Sequence, residues 1–231
     1  AFQKQQAQVT TLLKARSALI GGIQHDVRTF ATRLRLRIEK LADRADREQA
    51  ETDISDLISL MDSALLATRS EVGKLELELI DFAELVAGEV EDRRAAGLAV
   101  DFAAEPPKAD FDILADRVAL RRVLFNLIEN ALRYGASAHI TLDTDDRRVM
   151  LYVDDQGPGI PKEEREALMQ PFSRLEASRS RQTGGAGLGL AIVQTLVAAH
   201  EGDVLISDAP GGGARFIITL PKFSQSSSRK D

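Results

Sequence analysis

The chain has 231 residues, 44% of them hydrophobic and 29% charged, with 30 Lys and Arg against 36 Asp and Glu for a net charge of −6. That balance excludes disorder over most of the length and allows one large or two modest domains with real cores. It also argues against a general nucleic-acid surface, which needs a concentrated basic face, while the absence of cysteine removes disulfides, thiolate metal sites and cysteine nucleophiles.

No apolar run is long enough to cross a bilayer and nothing resembles a signal peptide, which together with the missing cysteines suits a reducing cytoplasm. A chain that opens at Ala1 without methionine reads as a piece of a longer protein. Any anchor in the inner membrane would then lie upstream of this piece.

From Leu13 an apolar residue recurs every seventh position through Ile20, Val27, Leu34 and Leu41, with Ile23 and Phe30 filling the seam. This predicts a long helix packed in coiled-coil fashion. A polar stretch over 42–52 breaks the rhythm, which resumes at Ile54, Leu57, Ile58, Met61 and Leu65. Residues 1–70 therefore read as an αα-hairpin. One hairpin buries only a stripe of each helix, so two hairpins are expected to pair as a four-helix bundle, giving a homodimer.

After Gly73 the pattern turns to mixed α and β, and 71–223 reads as a second domain. Lys74 to Ile80 alternates apolar and charged residues as a half-buried strand would, and Phe82 to Arg94 follows as a helix. Asp116 is placed to cap a helix running to Tyr134 and stopping at Gly135. His139 to Thr144 and Arg148 to Val153 read as paired strands around the turn Asp145-Asp146. Pro161 to Met169 suggests a short helix, and the polar stretch Ser173 to Gly185 a mobile loop. A helix over Leu188 to His200 precedes a hairpin of Asp203 to Ser207 with Ala214 to Leu220 around Gly211-Gly212-Gly213. Residues 224–231 read as a flexible tail.

Four clusters carry chemical potential. His25 lies two positions before the seam residue Val27, on the outward face of its helix, with Thr29 one turn on as a neighbour and Asp26 at its flank. Asn126 and Asn130 share a helix face whose oxygens suit Mg²⁺, an ion that bridges to phosphates. Asp155 ends a strand just before Gly157-Pro158-Gly159, where a carboxylate can accept from an exocyclic amine and glycines admit a flat ring; Asp154 is the near miss. Gly184-Gly185-Ala186-Gly187-Leu188-Gly189 opens a helix, whose free N–H groups suit an anion. Singly, each has another explanation: a solvated histidine, a polar helix face, a turn and, for the last glycine run, a dinucleotide-binding fold. That fold, however, would place its glycines after the first strand of a βαβ unit and not after a long polar loop.

In combination and order they resemble the catalytic core of the sensor histidine kinases, from about His25 through Pro221. His25-Asp26-Val27-Arg28-Thr29 is similar to the H-box, Asn126 through Tyr134 to the N-box, Val153 through Ile160 and Gly184 through Val193 to the two glycine boxes, and Pro171-Phe172-Ser173-Arg174 to a shortened F-box. The resemblance implies an α+β architecture, in which a dimeric phosphotransfer hairpin precedes an α/β-sandwich ATP-binding domain of the Bergerat type shared with gyrase, a heat-shock chaperone and a mismatch-repair protein. It implies His25 as phosphoacceptor, Asp26 as its acidic partner and Thr29 in reverse phosphatase chemistry. It further implies Asn130 as Mg²⁺ ligand supported by Asn126, Arg133 on phosphate and Tyr134 against the base. Asp155, Gly157 and Gly159 fall at adenine, and Arg174, Gly185, Gly187, Leu188 and Gly189 around the phosphates under a lid of 161–185.

The implied activity is ATP-dependent autophosphorylation of His25, then phosphoryl transfer to an aspartate on a response-regulator receiver domain. Phe30 stands where most members have proline, so the usual helix bend is not expected. An ATP-gated clamp is disfavoured because its hydrolytic glutamate is replaced by Asn126. A non-catalytic docking module is disfavoured by the intact glycine boxes and paired asparagines.

Overall fold

The computed structural model describes residues 75–106, 109–171, 173 and 187–224, together with the isolated helical positions Leu34, Ala50 and Ile54. The chain divides into two compact units, Ala1–Lys74 and Leu75–Asp231. The hairpin expected in the first unit lies outside the described residues apart from those three positions, as do 172 and 174–185 of the lid and 225–231 of the tail. No helix among the described residues is long and apolar enough to cross a membrane.

The second unit runs β1 (Glu78–Asp81), α1 (Phe82–Ala95), β2 (Val100–Ala104), β3 (Asp112–Ala115), α2 (Arg117–Gly135), β4 (Ala138–Thr144), β5 (Arg148–Asp155), α3 (Lys162–Leu168), α4 (Gly189–Ala199), β6 (Asp203–Asp208) and β7 (Ala214–Pro221). Five strands form one mixed sheet in the order β2-β4-β5-β7-β6, with β2 parallel to β4 and the other neighbours antiparallel. Alternation decides its faces. On β5, Val149, Leu151, Val153 and Asp155 are buried on one side, whereas Met150, Tyr152 and Asp154 on the other are only part-buried.

The buried side carries the helices. On α2, Leu120, Val123, Leu124, Leu127, Ile128 and Ala131 recur at three- and four-residue spacing and are buried. This helix packs on β5, β4 and α4, and α4 adds Ile192, Val193, Leu196 and Val197. Each buried Leu, Ile or Val contributes about 1.5–3 kcal/mol of gross transfer free energy. Asn126 is the exception, a polar side chain buried on the same stripe.

Three sequence expectations need correction. The strand expected over Lys74 to Ile80 is restricted to Glu78–Asp81, and its apolar positions Leu77 and Leu79 are about half exposed. Among the described residues it pairs only with β3, which places Leu79 opposite the equally exposed Leu114 in a two-stranded sheet. Second, the left-handed residue ending α2 is Ala136 at φ 60°, while Gly135 is the last helical residue. Glycine stands there because a Cβ would lie 2.5 Å from the Gln156 backbone nitrogen and 2.7 Å from Asp155 Cβ. Third, β2 and β3 were not foreseen, and β2 inserts as an edge strand beside β4, outside chain order.

Candidate nucleotide site

Asp155 lies at the end of β5 with the core-facing parity, 5% exposed. Its Oδ1 accepts from Gly157 N at 2.8 Å and from Ala214 N at 2.9 Å, so the carboxylate is oriented by two backbone donors from different elements. Backbone crowds it on three sides. A Cβ at Gly213 would fall 2.1 Å from Asp155 O, one at Gly157 3.1 Å from Asp155 Oδ1, and one at Gly135 2.7 Å from Asp155 Cβ. Only glycine permits these approaches, and Gly213 at φ +92° also needs glycine's backbone freedom. Gly159, at φ +77°, turns the chain away beside Gly213.

Asp154, one residue earlier, points to the opposite face. Arg215 grips it through two bonds of 2.6 Å and lies 4.9 Å over the Tyr152 ring. That hydrogen-bonded partner holds the Arg215 guanidinium above its ordinary pKa. Asp154 is therefore committed to fastening the sheet.

At the end of α2, the Tyr134 carbonyl closes on Gly157, where a Cβ would come within 2.7 Å of it. The Arg133 and Tyr134 side chains are both exposed. Earlier on α2, Asn126 is 8% exposed and its Nδ2 finds no hydrogen-bond partner among the described residues. Its Oδ1 lies 3.6 Å from where a Gly189 Cβ would be, so a larger residue would meet the amide. Asn130, one turn on, is part-buried. Gly187 has φ +69°, and Leu188 caps α4 without a side-chain hydrogen bond, leaving the first-turn N–H groups to other acceptors. A buried, unspent amide beside a glycine-led helix start fits an oxyanion and a hard cation.

Residues 115–224 match the family described as histidine kinase-, DNA gyrase B-, and HSP90-like ATPase. The sensor protein RstB of Escherichia coli strain K12 is 35% identical over 230 residues, and the sensor histidine kinase CpxA of the same strain is 31% identical over 241 residues. The matches cover 96% and 97% of this chain and 52% and 51% of the relatives. Over nearly its whole length the chain is similar to sensor histidine kinases.

It spans about half the length of the curated relatives it matches. Among solved structures, full-length ShkA in complex with AMPPNP is similar with a TM-score of 0.62 and 26% identity, covering 89% of this chain and 47% of that one. Of the residues singled out from sequence, Asn126, Gly187, Leu188 and Gly189 are placed around the α2–α4 contact, and Asp155, Gly157 and Gly159 at the end of β5 beside the last turn of α2. His25, Asp26, Thr29, Arg174 and Gly185 lie outside the described residues. Sequence reasoning missed Gly135, Gly213 and Ala214 N, which shape Asp155. The glycine run 211–213 was visible but read only as a turn, because its contact with Asp155 spans some sixty positions.

Proposed function

We propose that this chain is a histidine kinase core that uses ATP to phosphorylate His25 and passes the phosphoryl group to an aspartate of a response-regulator receiver domain. The observation that carries the reading is the meeting of the Asn126 helix with the glycine-led start of α4, on the same unit as a carboxylate already oriented by two backbone donors. Asp155 accepts from the adenine amino group, with Gly157 and Gly159 under the ring and Tyr134 against it. Arg133, Arg174 and the backbone of Gly185, Gly187, Leu188 and Gly189 hold phosphate oxygens. Asn130, supported by Asn126, would hold a Mg²⁺ that neutralises charge on the phosphates.

Phosphoryl transfer asks little covalent chemistry of the protein, so positioning and charge neutralisation supply most of the rate. An imidazole nitrogen of His25 takes the γ-phosphorus as the bond to the β-bridging oxygen breaks, and ADP leaves. Asp26 stabilises the charge that grows on the ring, and Thr29 serves dephosphorylation of the regulator. The kinase acts as a homodimer on the cytoplasmic side, through paired hairpins of 1–70, with 71–223 as the catalytic domain.

Incubation with γ-labelled ATP tests this. The label should enter the protein, be lost in acid and survive alkali, as a phosphoramidate does. His25→Gln should bind ATP and take up no label; label persisting in that variant removes His25 from the mechanism.

A further inference from the structure

α2 and α4 pack along their length, and two of their contacts mark its ends. Near the site, Asn126 faces Gly189. At the far end, the Asp116 backbone N–H donates to His200 Nε2 at 3.0 Å, and His200 Nδ1 bonds the Leu196 carbonyl at 2.7 Å. The two meeting points are ten residues apart on α2 (116 to 126) and eleven on α4 (189 to 200), which is about 15 Å along antiparallel helices. The pair is hydrogen-bonded at the far end and in van der Waals contact near the site.

The hydrogen-bonded pin has defined chemistry. A backbone N–H only donates and a carbonyl only accepts, so His200 must carry its proton on Nδ1 and present a lone pair at Nε2. The ring, 6% exposed, closes α4 and satisfies one of the unpaired N–H groups at the start of α2. Asp116 completes the junction: Oδ1 accepts from Ala119 N and Oδ2 from Glu76 N, each at 3.0 Å. Three elements therefore converge on two buried side chains, with every bond to backbone.

We infer that His200 is a positioning residue for phosphate binding: it fixes the axial register of α4 against α2 and so holds the phosphate-facing end of α4 at Asn126 and Asn130. This rests on the nucleotide reading above. A register error at the far end is transmitted along two stiff helices to the Asn126–Gly189 contact. Asp155, by contrast, is oriented from β5, β7 and the turn after β5. Loss of the pin should therefore injure binding of the phosphates and spare binding of the base.

The full chain is titrated with AMP and with Mg²⁺ and AMPPNP in three variants. His200→Gln carries an amide oxygen at the depth of Nε2 and can still accept from Asp116 N–H. His200→Leu fills the space and accepts nothing, and His200→Asn reaches only as far as Nδ1. We expect AMP affinity within about 2-fold of the parent in all three, and AMPPNP affinity at least 10-fold weaker in Leu and Asn but within about 3-fold in Gln. If Leu prevents folding, the contrast of Asn with Gln gives the same test. Equal losses for both ligands, or none while melting temperature falls, would make His200 a fold element only and overturn the inference. A parent chain that binds neither ligand would overturn the nucleotide reading itself.

Discussion

Substituting the three hairpin glycines by alanine, one at a time, separates backbone strain from contact with the site. Gly211 has an unexceptional φ and nothing within 4 Å of an added Cβ. Gly211→Ala should be neutral or stabilising by up to about 1 kcal/mol, since alanine restricts the unfolded chain. Gly212 has φ +90° and the same open space, so Gly212→Ala should cost about 1–2 kcal/mol from the left-handed conformation alone. Gly213 has nearly the same φ, +92°, but its Cβ would sit 2.1 Å from Asp155 O and 2.7 Å from Asp155 Oδ1. The nearer atom is backbone, about 1 Å inside the closest approach that real Cβ atoms make.

Gly213→Ala should therefore cost roughly 3–5 kcal/mol, the strain of Gly212→Ala plus a forced shift of β5 against β7. For a unit of this size each kcal/mol moves the melting temperature by about 2–4 °C, so circular dichroism should register a fall of about 6–20 °C. The shift also breaks the Ala214 N to Asp155 Oδ1 bond, and a hydrogen bond to a charged group is worth about 1.5–3 kcal/mol. ADP affinity, by calorimetric titration below the melting range, should drop about 10-fold or more. Gly213→Ala melting together with Gly212→Ala would refute the reasoning, because the contact with Asp155 would then not be what requires glycine.

The adjacent aspartates should separate cleanly. Asp155→Asn turns the oxygen acceptor proposed for the base into a donor and should weaken ADP binding about 10- to 100-fold with little change in melting, whereas Asp154→Ala should remove a two-pronged, part-buried ion pair worth about 1–3 kcal/mol and leave ADP affinity unchanged. Reversal of that pattern in titrations and melts would mean the two side chains are exchanged. Glu89 on α1 accepts from Arg93 at 2.8 Å and from Arg121 at 2.6 Å. Burial pushes its carboxyl up, but those two partners outweigh it and hold it below the ordinary 4.5. A lowered folded-state pKa gives stability that is present above the unfolded value and lost as pH falls through the folded one. Glu89→Gln should thus cost about 2–4 kcal/mol near neutrality, and its deficit against the parent should shrink below about pH 4.5; a deficit that grows in acid melts would contradict this.

Legibility followed the range of each interaction. The apolar stripe of α2, the cap by Asp116 and the turn at Asp145, whose Oδ1 accepts from Arg147 N and Arg148 N, are local, and each was readable from a few neighbouring residues. The N-terminal half of the strand expected over Lys74 to Ile80 failed because alternation signals one buried face only when something covers the other side of the ladder, and β1 has a single partner strand among the described residues. β3, four residues long, and the edge strand β2 offered too little pattern to recognise. His200 carried no motif reading at all. Its partner Asp116 is 84 positions away, and nothing in either neighbourhood announces the pairing. The glycines show the same limit: their presence was visible, while the backbone that presses on them came from distant elements.

The site also depends on a register choice that side chains alone could not make. Asp154 and Asp155 are chemically identical neighbours, and a one-residue slip of β5 would carry Asp154 to the helix side and Asp155 to the outer face. Two features forbid the slip. Val149, Leu151 and Val153 share the parity of Asp155 and are fully buried, so sliding would expose three large side chains at about 1.5–3 kcal/mol each. On the outer face, Arg215 stands opposite Asp154 in the β5–β7 ladder and grips it with both arms. The core therefore selects which aspartate lies on the helix side, where the proposed nucleotide site is, and the ion pair on the far side of the sheet holds that selection in place.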